Sequence, residues 1–330
     1  MKKLLIVLIV SMFMFMAACS DDTTSGDGDA DYVVGIMQYV EHPSLDAATE
    51  GFKAALTEAG LNVKFDEENA QGDATNNKTI AEKFVGDNVD LIFANATPSA
   101  QSAVNETTEI PIIFTSVTDP VGAELVASME SPGGNATGTS DSNPDAIPST
   151  MALIKEMGYE NVGTIYNTGE QNSVTQVDSM KEAAEELGLN VREASVATSA
   201  EVRQAAESLL GSVDVFYIIT DNTVVSSLES VIMVSEEEDI PLFVGELDSV
   251  KRGGFAAYGF SYYDIGYEAG EKAVEILQDG KSAGDIPATF PQNLVLEINK
   301  EAAEKMGVEI TAELEEKATL VETVEEDDAE

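Results

Sequence analysis

The chain writes one strand–helix series twice. Gly35 to Val63 aligns without a gap on Gly163 to Val191, and both stretches open on a Gly-containing apolar strand and close on Gly-Leu-Asn-Val. Val89-Asp90-Leu91-Ile92-Phe93 is echoed by Val213-Asp214-Val215-Phe216-Tyr217. Glu109-Ile110-Pro111-Ile112-Ile113-Phe114 is echoed by Asp239-Ile240-Pro241-Leu242-Phe243-Val244. Three matches in the same order point to two similar lobes, each with its own core, since a solenoid would repeat over a much shorter period. Tyr32 to Gln38, Val89 to Ala94 and Ile110 to Thr115 read as strands, while Pro43 to Ala59 and Asp73 to Val85 carry apolar residues at helical spacing. The alternation predicts an α/β fold of two Rossmann-like lobes whose parallel sheets are covered on both faces.

Boundaries follow from turn chemistry and length. Lobe 1 is expected over 32–143 plus about 254–290, and lobe 2 over 144–253 plus about 291–310, with the turn-forming Asn143 to Ala146 as first crossing. The strand Gly254 to Gly259 and the helix Tyr262 to Leu277 are expected to return to lobe 1. The strand Asn293 to Ile298 and the helix Lys300 to Met306 then cross again, which makes a multi-strand hinge. Residues 311–330, with Glu325-Glu326-Asp327-Asp328, are expected to be a frayed acidic tail. At the other end Lys2 and Lys3, the apolar run Leu4 to Met16 and Ala17-Ala18-Cys19 read as a secretion signal over 1–19, with Cys19 as the lipid attachment site. That apolar run falls short of the ~20 residues a spanning helix needs. Residues 20–31 form a flexible tether, and the single cysteine excludes a disulfide within the chain.

Seventeen basic against 61 acidic residues give a net charge of −44. Nucleic acid is excluded as a partner, because phosphate recognition depends on clustered Lys and Arg. Such a surface suits a saline or alkaline medium, where salt screens self-repulsion. No nucleophile elbow, P-loop or dinucleotide motif follows a strand, so no catalytic residue and no cofactor is expected. His42, the only histidine, precedes Pro43 and reads as a loop or helix-entry residue that could lie beside the pocket, and with no other His and no free Cys no metal site is expected.

Ligands of open parallel sheets bind outside the carboxyl ends of the strands. The loops there are Gln38 to Ser44, Ala96 to Ser99 and Thr115 to Pro120, with repeat equivalents Asn167 to Ser173, Thr220 to Thr223 and Glu246 to Ser249. Candidate ligand contacts are Gln38, Tyr39, Ser44, Thr97, Pro98, Ser99, Thr118, Asp119, Asp141, Asn143, Asn167, Asn172, Ser173, Asp221, Asn222, Asp248 and Phe260. A helix starting at Thr97-Pro98-Ser99 offers free N–H groups and a positive dipole end to a carboxylate. Asp119, Asp221 or Asp248 could oppose an ammonium group, and Tyr39, Tyr166, Phe260 and Tyr262 could wall an apolar or aromatic side chain. Each of these types also serves as an ordinary cap, turn former or core residue.

At these loops the sequence resembles the tryptophan/tyrosine-type ABC transporter substrate-binding lipoproteins of the type I periplasmic-binding fold. The segments that carry the resemblance are Glu41 to Asp46, Asn69 to Asp73, Ala96 to Ala100, Val117 to Val121, Gly138 to Asp141, Thr220 to Val225, Asp248 to Gly253 and Tyr258 to Asp264. It implies an extracytoplasmic, lipid-anchored receptor whose lobes close on a small ligand, an amino acid first, and deliver it to an ABC permease. A nucleoside or sugar receptor, or a ligand sensor for a signalling partner, are the alternatives. A single copy facing one transporter implies a monomer.

Overall fold

A computed structural model describes residues 30–324. The signal and Cys19, most of the tether, and residues 325–330 lie outside the described residues.

The first sheet is built from β1 (Tyr32–Gln38), β2 (Val63–Asn69), β3 (Leu91–Asn95), β4 (Ile112–Val117) and β5 (Ala136–Ser140), in the order β2-β1-β3-β4-β5 and parallel throughout. Its inner strands β3 and β4 are buried at every position, as expected of a sheet covered on both faces. One face carries α2 (Ala74–Asp87) and α3 (Thr97–Glu106) over Ile80, Phe84, Ile92 and Phe114. The other carries α1 (Pro43–Glu58), whose Phe52 stacks on Phe93 of β3 at 3.9 Å between ring centroids.

The second sheet repeats the arrangement. Strands β6 (Asn161–Asn167), β7 (Asn190–Val196), β8 (Val215–Ile218), β9 (Leu242–Val244) and β10 (Ala256–Gly259) run in the order β7-β6-β8-β9-β10, the same order as β2-β1-β3-β4-β5. The helices of this half are α4 (Ala146–Glu156), α5 (Gln171–Leu187), α6 (Val202–Leu209), α7 (Asn222–Val225), α8 (Glu229–Glu237) and α9 (Leu247–Arg252). The duplication seen in the sequence is thus a duplication of topology.

Two expectations are corrected. The strand near 254–259 was expected in lobe 1, but β10 pairs parallel with β9 and antiparallel with β11 (Val295–Asn299) in the second sheet. The reason is local: α9 is only six residues long and Phe255 N already donates to Leu242 O, so the chain turns straight back to its own sheet. The helix that follows, α10 (Tyr262–Leu277), does cross to lobe 1 and packs on α1. Residues 311–324 of the expected frayed tail are ordered, through α12 (Ala312–Lys317) and β12 (Thr319–Val321), after α11 (Lys300–Lys305). Thr311 caps α12 by accepting from Leu314 N, Leu314 is buried in the second core, and β12 extends the sheet alongside β11. A composition count missed the few apolar residues that dock the segment.

The chain passes between the lobes three times, near Asp141–Asp145, Phe260–Ser261 and Phe290–Leu294. The crossings are tied to one another: Asn143 Nδ2 donates to Pro291 O at 3.0 Å, and Tyr262 Oη donates to Asp141 Oδ2 at 2.9 Å. A hinge of this kind lets the lobes rotate while their cores stay intact.

The α1–α10 contact is a direct backbone approach. A Cβ on Gly266 would stand 1.9 Å from the Ala48 carbonyl oxygen, and one on Gly51 would stand 2.1 Å from Tyr263 O. Gly266→Ala should therefore push the helices apart at a cost of about 1–3 kcal/mol. Gly86→Ala, also helical but with nothing within 4 Å of the new Cβ, should be neutral or mildly stabilising. Thermal unfolding of the two variants checks this, and equal melting temperatures would contradict the packing account.

Candidate functional site

The carboxyl ends of both sheets face each other across a narrow enclosed space. It is lined by His42, Leu45 and Ser116 from lobe 1, by Asn172, Thr220, Asn222, Val225 and Glu246 from lobe 2, and by Asp141 and Tyr262 from the crossings. Its cavity volume is about 10 Å3, room for roughly one water molecule and far below the roughly 300–1,000 Å3 typical of pockets for drug-sized molecules. The lobes must part before anything larger can enter.

Local backbone geometry aims several of these groups. The pairing of β4 with β5 shifts register between Phe114 and Val117, and within that irregularity Ser116 takes a positive φ of 55°. Beside it Ala96, the residue before α3, has φ 87°, and its N–H donates to Thr115 O at 3.1 Å. Non-glycine residues held in this region cost about 1–3 kcal/mol each and cluster at binding sites. Here the strain coincides with buried polar atoms that have no partner, namely Ser116 Oγ, Thr97 Oγ1, Asn172 Oδ1 and His42 Nδ1. Buried groups are nearly always satisfied, so the three of these that line the cleft, on Ser116, Asn172 and His42, mark a place where a ligand completes the hydrogen bonding.

Carboxylates dominate the electrostatics. Glu246 is almost wholly buried, accepts from Ser249 Oγ at 2.8 Å, and is pushed up to about 7 by burial, with the Ser249 and Ser44 hydroxyls pulling the other way. Asp141 accepts from Thr118 Oγ1 at 3.0 Å and from Tyr262 Oη at 2.9 Å, and burial raises it despite these bonds. Glu170 accepts from Asn222 Nδ2 at 2.6 Å and Thr223 Oγ1 at 2.8 Å. Among the described residues none of Glu246, Asp141, Glu170 or Asp221 has a Lys or Arg ion-pair partner. The nearest cation, Arg252, is spent on Glu229 at 2.7 Å and on Val225 O at 2.9 Å.

Of the residues expected from sequence, Asp141, Asn172 and Asn222 line this space, and Ser44 lies buried beside Glu246. Others hold the framework. Gln38 ties β1 to α1 through Asp46 and Thr49, Ser99 donates to Asn77, and Asn143 bridges two crossings. Tyr39 is buried with its hydroxyl on Gly72 O, and burial followed by Glu170 raises it to about 12. Asn167 and Ser173 donate to Asp221, whose other oxygen caps α7 through Val224 N. Asp221 is therefore consumed inside lobe 2, and burial, then Glu170, lifts it to about 7. Asp119 caps its own turn at Gly122 N, and Asp248 pairs with Lys251 at an outer groove. Thr97 and Pro98 start α3, Thr118 bonds Asp141, and Phe260 stacks on Tyr262 at 5.6 Å. Tyr166 turns outward to Glu193. Sequence reasoning singled out Asp248 where Glu246 faces the ligand space, treated His42 as a helix-entry residue, and passed over Glu170. For Glu246 and Glu170 the only signal was membership of the right loops.

The lobes touch directly. Gln176 of α5 donates to Thr118 Oγ1 at 3.2 Å across the cleft and to Thr220 Oγ1 at 2.7 Å within its own lobe.

A model of the ABC transporter substrate binding protein family matches residues 33–322. The chain belongs to that family. It is 43% identical over 324 residues, 93% of each chain, to a tyrosine-binding protein of Clostridioides difficile. An ABC domain in complex with L-Trp from Streptococcus pneumonia superposes with a TM-score of 0.84 at 32% identity, over 88% of this chain and 99% of that one. The ligand-free, open structure of a substrate binding protein with adhesive properties from Clostridium difficile gives 0.65 at 40% identity, over 89% and 100%. The more similar sequence is the less similar shape. With the direct Gln176–Thr118 bond, this places the lobes in the closed arrangement of a type I periplasmic-binding fold.

Glu246 is buried where lobe 2 meets Ser44 of lobe 1, so its proton affinity is expected to report the conformation. Its carboxyl is raised from 4.5 to about 7 in the closed form, and a raised acid favours that form below its ordinary value and loses the contribution as pH rises through about 7. Ligand-free protein should close as pH falls from 8 to 5, read as a smaller radius of gyration by X-ray scattering. Glu246→Gln should be closed to a greater extent at pH 8 and respond less to pH, and an unchanged pH response would remove Glu246 from the closing equilibrium.

Proposed function

We propose that this protein captures an aromatic amino acid between its lobes, outside the cytoplasmic membrane, and hands it as a monomer to an ABC permease, held to the membrane by a lipid on Cys19. The observation that carries the reading is an enclosed space walled by carboxylates without a cation. Two uncompensated acids in a closed cleft are costly unless a positive group joins them. An α-ammonium between Asp141 and Glu246 supplies it.

The rest of the ligand follows from connectivity. Asp141 N donates to Val117 O, which sets Asp141 beside Ser116, and Ala96 at the start of α3 lies against the same strand. The α-carboxylate of an amino acid sits within a few ångströms of its ammonium, so Ser116 Oγ and the N-terminus of α3 are placed to receive it. The side chain then extends toward Leu45, Val225 and the Tyr262 ring, which are the apolar surfaces of the space. The relatives support this chemistry, one being a tyrosine-binding protein and another holding L-Trp. A nucleoside or sugar would offer hydroxyl donors to these acids but bring no positive charge.

The mechanism is ligand-driven closure. An empty closed cleft carries the burial cost of Glu246 and Asp141, and a ligand ammonium offsets it only in the closed form, which is the differential affinity a conformational shift requires.

Titration calorimetry on ligand-stripped protein should show binding of tyrosine or tryptophan and none of nucleosides or sugars. The deaminated analogue 3-(4-hydroxyphenyl)propionate, matched to tyrosine except for the ammonium, should bind at least about a hundredfold more weakly, since removing one partner of a buried charge pair costs about 3–5 kcal/mol. Glu246→Gln should narrow that ratio. Equal affinity for tyrosine and its deaminated analogue would refute the ammonium site.

A further inference from the structure

The amide of Gln176 crosses the cleft in an orientation that its own lobe fixes. Its Oε1 accepts from Thr220 N at 3.2 Å, and a backbone N–H can only donate, so the end that faces lobe 1 is the NH2 group. Nε2 donates to Thr220 Oγ1 at 2.7 Å and to Thr118 Oγ1 at 3.2 Å. A hydroxyl that accepts from Gln176 directs its single proton elsewhere. Asp141 Oδ1 stands 3.0 Å from Thr118 Oγ1 and receives it.

The other oxygen of Asp141 is held in the same way, since Tyr262 Oη donates to Oδ2 at 2.9 Å. Each carboxylate oxygen thus has one hydroxyl donor, which fixes the plane of the group and leaves its remaining lone pairs for the space it lines. Only Gln176 comes to this arrangement from the opposite lobe. Thr118 and Asp141 are neighbours without it, because Asp141 N donates to Val117 O and Ser140 Oγ to Thr118 O, each at 3.2 Å. Tyr262 reaches Asp141 from the start of α10, at the second crossing. Gln176 on α5 and Thr220 after β8 belong to lobe 2. Parting the lobes therefore removes the one donor that faces the Thr118 hydroxyl, which is then free to turn away from Asp141.

We infer that Gln176 is a positioning residue for ligand binding: in the closed form it fixes the Thr118 hydroxyl as a donor to Asp141, so that the acceptor for the ligand's ammonium group is aligned only when the lobes have met. The inference rests on the amino-acid reading given above. An acceptor that improves on closing holds the ammonium more tightly in the closed form than in the open one, and such differential affinity is what shifts the equilibrium. A latch without this role strengthens the binding of every ligand alike.

The test is isothermal titration of the ligand-stripped protein at pH 8 with tyrosine and 3-(4-hydroxyphenyl)propionate, whose affinity ratio reads the ammonium contact. Gln176→Met, similar in length but without donor or acceptor, should weaken both ligands about fivefold through the lost contact between lobes and reduce the preference for tyrosine about threefold besides. Thr118→Val, which keeps the shape and removes the hydroxyl, should reduce the preference about tenfold, and Thr118→Ser, which restores the hydroxyl, should return most of it. Added to Thr118→Val, Gln176→Met should leave the preference where Thr118→Val set it, because the amide acts only through that hydroxyl. An equal loss for both ligands in Gln176→Met makes the residue a plain latch and overturns the inference, as does an unchanged preference in Thr118→Val. Should Gln176→Met fail to fold, Thr118→Val against Thr118→Ser decides alone. With a wild type that prefers tyrosine, failure in the variants overturns this inference and leaves the amino-acid reading standing, whereas a wild type that binds both ligands equally overturns that reading and this one with it.

Discussion

The interaction on which the rest depends is the burial of carboxylates between two lobes with no cation to meet them. Glu246, Glu170 and Asp221 are each almost wholly buried, and Asp141 is partly buried between the first crossing and Tyr262. Glu170 and Asp221 are held by hydrogen bonds within lobe 2, a dense set of amide and hydroxyl donors from Asn222, Thr223, Ser173 and backbone N–H groups. That set is present whether or not the lobes meet. Glu246 and Asp141 differ, since they stand on the wall where the lobes come together and have fewer partners. The protein thus keeps two acids solvated by its own donors as framework and two others as a charge that closure cannot easily tolerate alone.

The direct contact between lobes is a small set of polar side-chain bonds. Gln176 bridges to Thr118, Ser44 of lobe 1 meets Glu246 of lobe 2 and His42 of lobe 1 meets Asn222 of lobe 2, and a neutral hydrogen bond contributes about 1 kcal/mol net. A heavier latch would close the empty protein and hide its site. A lighter one would leave all of the closing work to the ligand. The surface acids work on another scale, because most of the ion pairs are exposed, each worth little and screened by salt. Salt that quiets a net charge of −44 leaves the enclosed carboxylates largely unscreened, so the chain can tune its exterior to a medium without disturbing the chemistry of its cleft.

The repeat was legible because duplicated topology leaves duplicated periodicity: Gly-Leu-Asn-Val closes the same helix-to-strand turn in both lobes, and the same strand order results. What the sequence did not show was allegiance. Strand β10 carries no mark of its sheet, and a six-residue α9 decides it by leaving the chain no length to cross. The ordered segment 311–324 hid for a related reason, as Leu314 and a three-residue strand are too few apolar groups to stand out in acidic surroundings.

The site was legible as loops and, at Asp141, Asn172 and Asn222, as residues, but the choice among its acids was not. Asp221 and Glu246 follow equivalent strand ends, are both acidic, and are both pushed up to about 7 by burial. Sequence offers no ground to separate them, and even their proton affinities agree. Orientation separates them: Asp221 precedes α7 and turns its oxygens onto Val224 N, Asn167 N and Ser173, which is the work of a cap. Glu246 precedes α9 without capping it, meets the Ser249 and Ser44 hydroxyls, and faces the cleft. A helix start needs one acceptor, and whichever acid is not needed there is free for a ligand. The same reasoning applies to His42, where a residue at a cap position that caps nothing has its polar atom available for something else.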